Sequence, residues 1–382
     1  MNIAFLTSEY PHQKINHSAG IGSSIKNLAT ELINQGHKIT IFAYSQDSND
    51  IFKDNGIIIH KIKYTRFLVL GWYLYRKQLQ NYINKTIKRE KIDIIEAPDW
   101  TGITAFMKLK CLLVIRLHGS DAYFCNLEGR KQKWKNFWFE KLALKNSDAI
   151  VSVSEFAAKV TRSIFKLKVS ITIIANGIDL DKFVNNSVLS YEPNTLLYFG
   201  TIIRKKGVIE LAHIFNELVQ LNSNVKLILI GNDSKDILTK SNSTYSIFKK
   251  KLSEKAKSRV AYIGKVKYEL LHKHIKNAHI CIFPSLAETF GMVTIEAMAM
   301  QKIVVASNFG WNKNIIDDGI NGYLRNPKNH KEFAETLDKL LINNSKSIKI
   351  GKAARIKIEQ EFDISKIANQ NIRYYKSIIK SK

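Results

Sequence analysis

Two series of short, continuously apolar runs, each run followed by a longer amphipathic stretch, constrain this chain more than any other feature. The first series holds NIAFLTS (2–8), KITIFAY (38–44), IDIIEA (92–97), CLLVIRLH (111–118), DAIVSVS (148–154) and ITIIANG (171–177). A polar stretch, VNNSVLSYEPN (184–194), interrupts it. The second series is TLLYFG (195–200), NVKLILIG (224–231), RVAYIG (259–264), HICIFPS (279–285) and KIVVAS (302–307). Strands that are apolar on both faces belong to parallel sheets covered by helices on either side. IGSSIKNLATELINQGH (21–37) is the pattern of such a helix, stopped by Gly36. The expected class is therefore α/β, two doubly wound parallel-sheet domains, with residues 1–186 in the first and 187–361 in the second. Ligands of open parallel sheets bind beyond the carboxyl ends of the strands. The natural site is then a cleft in which both sets of strand ends face each other.

Composition removes several other classes. Of 382 residues, 45% are hydrophobic and 24% charged, a globular balance and not a disordered one. Cys111, Cys125 and Cys281 are too few and too scattered for a disulfide framework or a zinc site, which points to a reducing compartment. No run approaches the roughly 20 apolar residues of a membrane span. The N-terminus, MNIAFLTSEYPHQ, lacks the basic flank and long apolar core of a secretion signal, so a cytoplasmic protein is expected. The unusual quantity is charge: 59 Lys+Arg against 33 Asp+Glu give +26. That excess calls for an anionic partner, a membrane surface, or merely a lysine-coated exterior.

The sharpest chemical signal is SLAETFGMVTIEAM (285–298), directly after the run HICIFPS. Gly291 allows close backbone approach, and a helix starting near Met292 would present free N–H groups to a diphosphate. Glu296, within the first turns, could accept hydrogen bonds from a ribose diol, and Glu288 on the loop could hold sugar hydroxyls. The bland alternative is a pair of solvated helix glutamates, but their place after a buried strand and around Phe-Gly argues against it. AGIGSS (19–24) has the form of a strand-to-helix loop in which Gly20 and Gly22 admit a phosphate or sugar, though such glycines are often only turn residues.

Glu288 and Glu296, with seven residues between them, resemble the paired-glutamate motif of the family-4 retaining glycosyltransferases of the GT-B fold (glycosyl transferases group 1). FLTSEYP, SAGIGSSIKNLATEL, VIRLHGSD (114–121), VSVSEF (151–156), IIANGID (173–179), KKGVIEL (205–211) and DDGINGYL (317–324) fall in that family's order over nearly the whole chain. The resemblance implies GT-B architecture, two Rossmann-like domains with 362–382 as a helix crossing back to the first. It implies an acceptor-binding first domain and a donor-binding second. It assigns catalysis to Glu288, His118, Lys206 and Arg204. It assigns donor binding to Gly20, Gly22, Lys206, Arg204, Asn232, Lys265, Val266, Glu288, Phe290, Gly291, Met292, Val293 and Glu296. Asp121 and Trp311 are candidates for the acceptor, although Trp311 could simply pack the interdomain surface. Thr201 follows Gly200 where the family commonly has arginine, and Arg204 is expected to supply that guanidinium. Ala19 and the segment NFGWNKNII (308–316) also depart from the family.

The expected activity is thus retaining transfer of a hexose-type sugar from a nucleotide-diphosphate donor, a UDP-sugar in preference to a GDP-sugar. The acceptor would be a glycan or lipid-linked molecule of bacterial surface polysaccharide or glycolipid synthesis. No metal or other cofactor is expected. Asp179-Leu180-Asp181 spells a metal-binding pattern of other glycosyltransferases but falls in a linker segment of this family. A sugar-nucleotide epimerase on the same architecture is the rival enzyme, while a phosphorylase would need a pyridoxal-phosphate lysine and a longer chain. Charge alone suggests a nucleic-acid-binding protein, yet no nucleic-acid motif is present. Residues 61–91 instead hold nine Lys/Arg and one acid around FLVLGWYLY, and 129–145 repeat the mixture in GRKQKWKNFWFEKLALK. Both segments suit peripheral contact with an anionic membrane on its cytoplasmic face, or else helices with one apolar stripe turned inward.

Overall fold

The computed structural model describes residues 1–381, apart from the side chains of Glu269, Asn344, Ser345 and Lys346. Lys382, the last residue of the expected C-terminal segment, lies outside the described residues. The chain divides into two compact units, one of residues 1–178 together with the segment from Ile364 onward, the other Asp179–Asp363. The polar stretch 184–194 falls wholly inside unit two.

Unit one is built on an eight-stranded sheet of β1 (Asn2–Thr7), β2 (Lys38–Gln46), β3 (Asp50–Asp54), β4 (Ile57–Lys63), β5 (Ile94–Pro98), β6 (Leu112–Leu117), β7 (Ala149–Ser152) and β8 (Thr172–Ile173). Their order is β3-β4-β2-β1-β5-β6-β7-β8, and every neighbouring pair is parallel except β3–β4. Six of the eight answer to the apolar runs. The β3–β4 hairpin does not, because β3 is an edge strand that is never fully buried. Its two-residue turn, Asn55-Gly56 with φ of 49° and 86°, is the type that pairs twisted strands, so the DNG tripeptide was the available signal.

Alternation along β1 shows why the strands are apolar throughout. Ile3 and Phe5 pack with Leu28 and Leu32 of the helix Gly20–Asn34 and with Ile367, Ile372 and Tyr375 of the helix Ile364–Lys380. Ala4 and Leu6 pack on the opposite side with Leu79, Ile83 and Ile87 of the helix Gly71–Glu90. The last helix is therefore part of unit one's core, and a buried polar knot fastens it. Arg116 donates to both oxygens of Glu96 at 2.7 and 2.8 Å, and the Tyr375 hydroxyl donates to Glu96 Oε2 at 2.6 Å.

The two basic segments meet in unit one. Trp72 lies 4.8 Å from the Phe139 ring and 5.3 Å from Phe106, which in turn stacks 5.5 Å from Trp138, while the Lys135 ammonium covers Trp72 at 4.9 Å. Around this joint Leu68, Val69 and Leu70 are 103%, 71% and 57% exposed and Trp134 is 80% exposed. Arg76 and Lys61 are buried instead: Arg76 donates to the carbonyls of Trp72, Thr101 and Gly102, and Lys61 pairs with Asp47. Those two bases support the fold and not a surface.

Unit two has a six-stranded, wholly parallel sheet: β9 (Thr195–Phe199), β10 (Lys226–Ile230), β11 (Val260–Gly264), β12 (Ile280–Phe283), β13 (Ile303–Ser307) and β14 (Tyr323–Arg325). The order β11-β10-β9-β12-β13-β14 reverses between β9 and β12. That reversal is the topological switch point at which such sheets open a crevice. Unit one has its own between β1 and β5.

Candidate active site

At the switch point of unit two, the segments leaving β9 and β12 are stitched together by backbone. The turn Arg204–Lys206 ends at Gly207 with φ 71°, and a Cβ there would lie 1.7 Å from the Pro284 carbonyl oxygen, so only glycine fits. Leu286 and Ala287 donate their N–H groups to the Lys205 carbonyl at 2.8 and 3.0 Å. This close approach carries Lys206 against Glu288, and its ammonium donates to Glu288 Oε1. Neither side chain is fully solvated, which strengthens the attraction over a surface pair. The loop then turns at Gly291, φ 98°, into the helix Met292–Ala299, whose N-terminus no side chain caps among the described residues. Its leading N–H groups, with Met292 and Val293 half-buried, are those an anion would use.

Glu296 is 6% exposed on the next turn, and its Oε1 accepts the Tyr268 hydroxyl at 2.8 Å. Burial pushes its carboxyl up to about 7, against the opposing pull of Tyr268 and Lys206. Asn232, Lys265 and Val266 follow the neighbouring strands β10 and β11, where they are exposed or half-buried.

Three of the residues named for unit two are engaged by the protein itself. Arg204 does not present a whole guanidinium: its Nε and Nη2 donate to the buried Asp236 at 2.7 and 2.9 Å. Asp236 also accepts the Thr239 hydroxyl at 2.6 Å, and Arg204 holds its carboxyl far below the usual range. Trp311 is 1% exposed with Phe309 5.2 Å away, so it packs the interior and offers no face to a sugar. The Phe290 ring is likewise buried, 5.6 Å from Phe362, leaving only its backbone for a ligand. Asp179 accepts the Asp181 N–H at 3.2 Å and pairs with Lys182 at 2.8 Å, a local turn; no group of three or more potential metal ligands gathers among the described residues.

In unit one, His118 leaves β6 and its loop hangs from two buried carboxylates. Asp99, at the end of β5, accepts the N–H groups of His118 and Gly119 at 2.9 and 3.2 Å. Glu140 accepts those of Asp121 and Ala122 at 2.9 and 3.1 Å. Burial, then the neighbouring Glu140 charge, raises Asp99 to about 7. Burial, then Arg116, lowers His118 to about 3, so its imidazole is neutral at physiological pH. Asp121 begins the helix Asp121–Leu127 and accepts the Asn136 amide at 3.3 Å.

In the glycine-rich loop, a Cβ on Gly22 would come within 2.8 Å of the Glu9 carbonyl oxygen, so this glycine lets the helix pack against the segment after β1. Gly20 has open space around it.

Asp99, Glu140, Asp236 and Tyr268 were not anticipated. Asp99 immediately follows an apolar run, the very position searched elsewhere, and Glu140 is the lone acid of 129–145. Asp236 and Tyr268 carry no local signal, since their partners lie about thirty residues away.

Comparison with known proteins now bears on the geometry. Residues 181–357 match the family model described as Glycosyl transferases group 1, and residues 18–182 match that of Glycosyltransferase Family 4. The uncharacterized glycosyltransferase MJ1607 of Methanocaldococcus jannaschii is 25% identical, with 98% of each chain covered. The capsular polysaccharide biosynthesis glycosyltransferase CapM of Staphylococcus aureus is 26% identical over 64% of this chain and 65% of its own. Among solved structures, sucrose-phosphate synthase from Thermosynechococcus elongatus superposes with a TM-score of 0.81 at 18% identity, covering 100% of both chains. Anabaena Alr3699/HepE in complex with UDP-glucose superposes with a TM-score of 0.74 at 17% identity, covering 99% of this chain and 100% of that one.

Proposed function

The chain belongs to the group 1, family-4-type glycosyltransferases of the GT-B fold, and from that premise we propose that it is a retaining hexosyltransferase that needs no metal. It takes a nucleotide-diphosphate sugar, UDP-linked in preference to GDP-linked, and transfers the hexose to a glycan or lipid-linked acceptor. The observation that carries the reading is the joining of Lys206 to Glu288 beside the uncapped helix start at Gly291. A diphosphate seated on that helix start would draw the Lys206 ammonium toward itself. Glu288 is then released to accept hydroxyls of the sugar. As the bond to the anomeric carbon breaks, Lys206 and the helix N–H groups stabilise the charge growing on the leaving diphosphate. Glu296 takes the ribose diol, and His118, neutral through burial, is proposed as a sugar contact on the family resemblance.

UDP is chosen because the Anabaena protein was captured with UDP-glucose, and a surface glycan because the staphylococcal relative is named for capsule synthesis. No helix of the described residues is long and apolar enough to cross a membrane. The exposed Leu68-Val69-Leu70 tip, in a basic stretch of the sequence, supports peripheral docking on the cytoplasmic membrane face, where a lipid-linked acceptor would be found.

Thermal-shift titration with UDP and GDP, followed by hydrolysis of the corresponding sugar nucleotides, tests the reading. Stabilisation by UDP is expected. Lys206→Ala and Glu288→Ala should each reduce turnover about a hundredfold or more while remaining folded. Near-normal turnover in either removes that residue from the site. Turnover should also survive EDTA; loss with recovery on Mn²⁺ overturns the metal-independent mechanism.

A further inference from the structure

Glu296 has a direct partner that its motif does not contain. Tyr268 is the first residue of the helix Tyr268–Asn277, just beyond Lys265 and Val266 at the end of β11. Its ring is 40% exposed and meets Phe183 edge-on at 6.0 Å, yet its hydroxyl reaches inward to Glu296 Oε1 at 2.8 Å. The half-exposed side chain thus directs its polar tip at a buried carboxylate.

We propose that Tyr268 is a positioning residue for the donor nucleotide: its hydroxyl fixes the Glu296 carboxylate in the orientation that receives the ribose diol. The inference rests on the function proposed above and deepens it. A carboxylate offers about four lone-pair sites, so one phenol leaves Oε2 and the second lone pair of Oε1 for a diol. The two groups that act on the Glu296 charge are Tyr268, from its helix, and Lys206, from the turn after β9. Lys206 already donates to Glu288. Tyr268 is thus the donor that opposes the burial of Glu296. Without it, the carboxyl both swings and protonates more readily near neutral pH, and in either state it is a poorer acceptor.

The test is calorimetric titration of the whole protein with UDP, for the unaltered chain, Tyr268→Phe, Glu296→Gln and the double variant. Phe removes one oxygen from a partly exposed ring and preserves the fold. Near pH 7, Tyr268→Phe should bind UDP about tenfold more weakly, the worth of one hydrogen bond to a charged group. Near pH 9, with Glu296 ionised in both proteins, the gap should close to about threefold or less. In the Glu296→Gln background the second change should add nothing. Unchanged binding by Tyr268→Phe, with Glu296→Gln weakened, overturns this inference and leaves the function standing. An equal loss at both pH values assigns the whole effect to orientation and upholds the inference, whereas full additivity in the double variant reduces Tyr268 to packing and overturns it. If neither UDP nor GDP binds the unaltered chain, the function falls first and this inference with it.

Discussion

Four N–H groups of one loop, those of His118, Gly119, Asp121 and Ala122, hang from the carboxylates of Asp99 and Glu140. Removing one acceptor leaves an N–H facing an amide donor, because asparagine can turn an oxygen toward only one of the two. Asp99→Asn should therefore cost about 1–3 kcal/mol in urea denaturation and reduce turnover together with stability. The same residue carries a pH signature. Its folded value, about 7, lies above the ordinary carboxyl range, so the folded state holds a proton that the unfolded chain releases. The stability from this group is complete below about pH 4 and is lost as pH rises through 7. Asp99→Asn should flatten the fall in thermal midpoint across that window, and an unchanged slope would assign it to other buried acids such as Glu296. The strand-end positions of Glu288, Lys206 and His118 were legible because each lies at or beyond the end of an apolar run, where open sheets keep their chemistry. Asp99 lay in the same kind of place and was passed over, since a single acid after Pro98 announces no partner. The burial of Trp311 was not legible because an aromatic in a polar segment gives no sign of it, and the pairing of Arg204 was not because nothing nearby discloses Asp236.

At the scale of elements, glycines and one polar knot fix the strand ends. Gly207→Ala must displace the Pro284 carbonyl that now stands 1.7 Å from the new carbon, and it must do so at positive φ. The turn would separate from the loop after β12, and Lys206 would leave Glu288. Activity should be lost well before the fold, and circular dichroism beside a turnover assay tells the two apart. The helix Ile364–Lys380 depends on Glu96, which accepts from Arg116 and Tyr375 where both charged groups are buried. Glu96→Ala strands a buried guanidinium and should cost about 3–5 kcal/mol in guanidinium denaturation, against about 1–3 for Tyr375→Phe. A loss under 1 kcal/mol in Glu96→Ala would mean that water enters the knot. The helical and parallel-strand framework was visible in periodicity. The antiparallel β3–β4 hairpin escaped because an edge strand alternates weakly, and the three-residue β14 because it is too short to register as an apolar run.

For the whole molecule the question is what the +26 charge serves. Part of it is internal to the fold: Arg76 and Arg116 are buried among carbonyls and carboxylates, and Lys61 pairs with Asp47. Of the remainder, charge by itself does not distinguish a membrane from a nucleic acid, since each Lys or Arg is drawn to either polyanion. The apolar tip does. Leu68 is 103% exposed and Val69 71%, an arrangement that costs free energy in water and gains nothing from phosphates alone. Inserted below lipid headgroups, with Arg66, Lys131, Lys133 and Lys135 near the surface, the same residues contribute burial and attraction together. Sedimentation with vesicles should then show binding when phosphatidylserine is present and little to pure phosphatidylcholine. Replacing Leu68, Val69 and Leu70 by serine should weaken it about tenfold or more, at unchanged net charge. Raising the salt should weaken both proteins, because screening acts on the lysines alone. If the serine variant instead binds vesicles as the unaltered chain does, and both bind duplex DNA with the same salt dependence, the exposed tip has no part in docking and the charge is nonspecific.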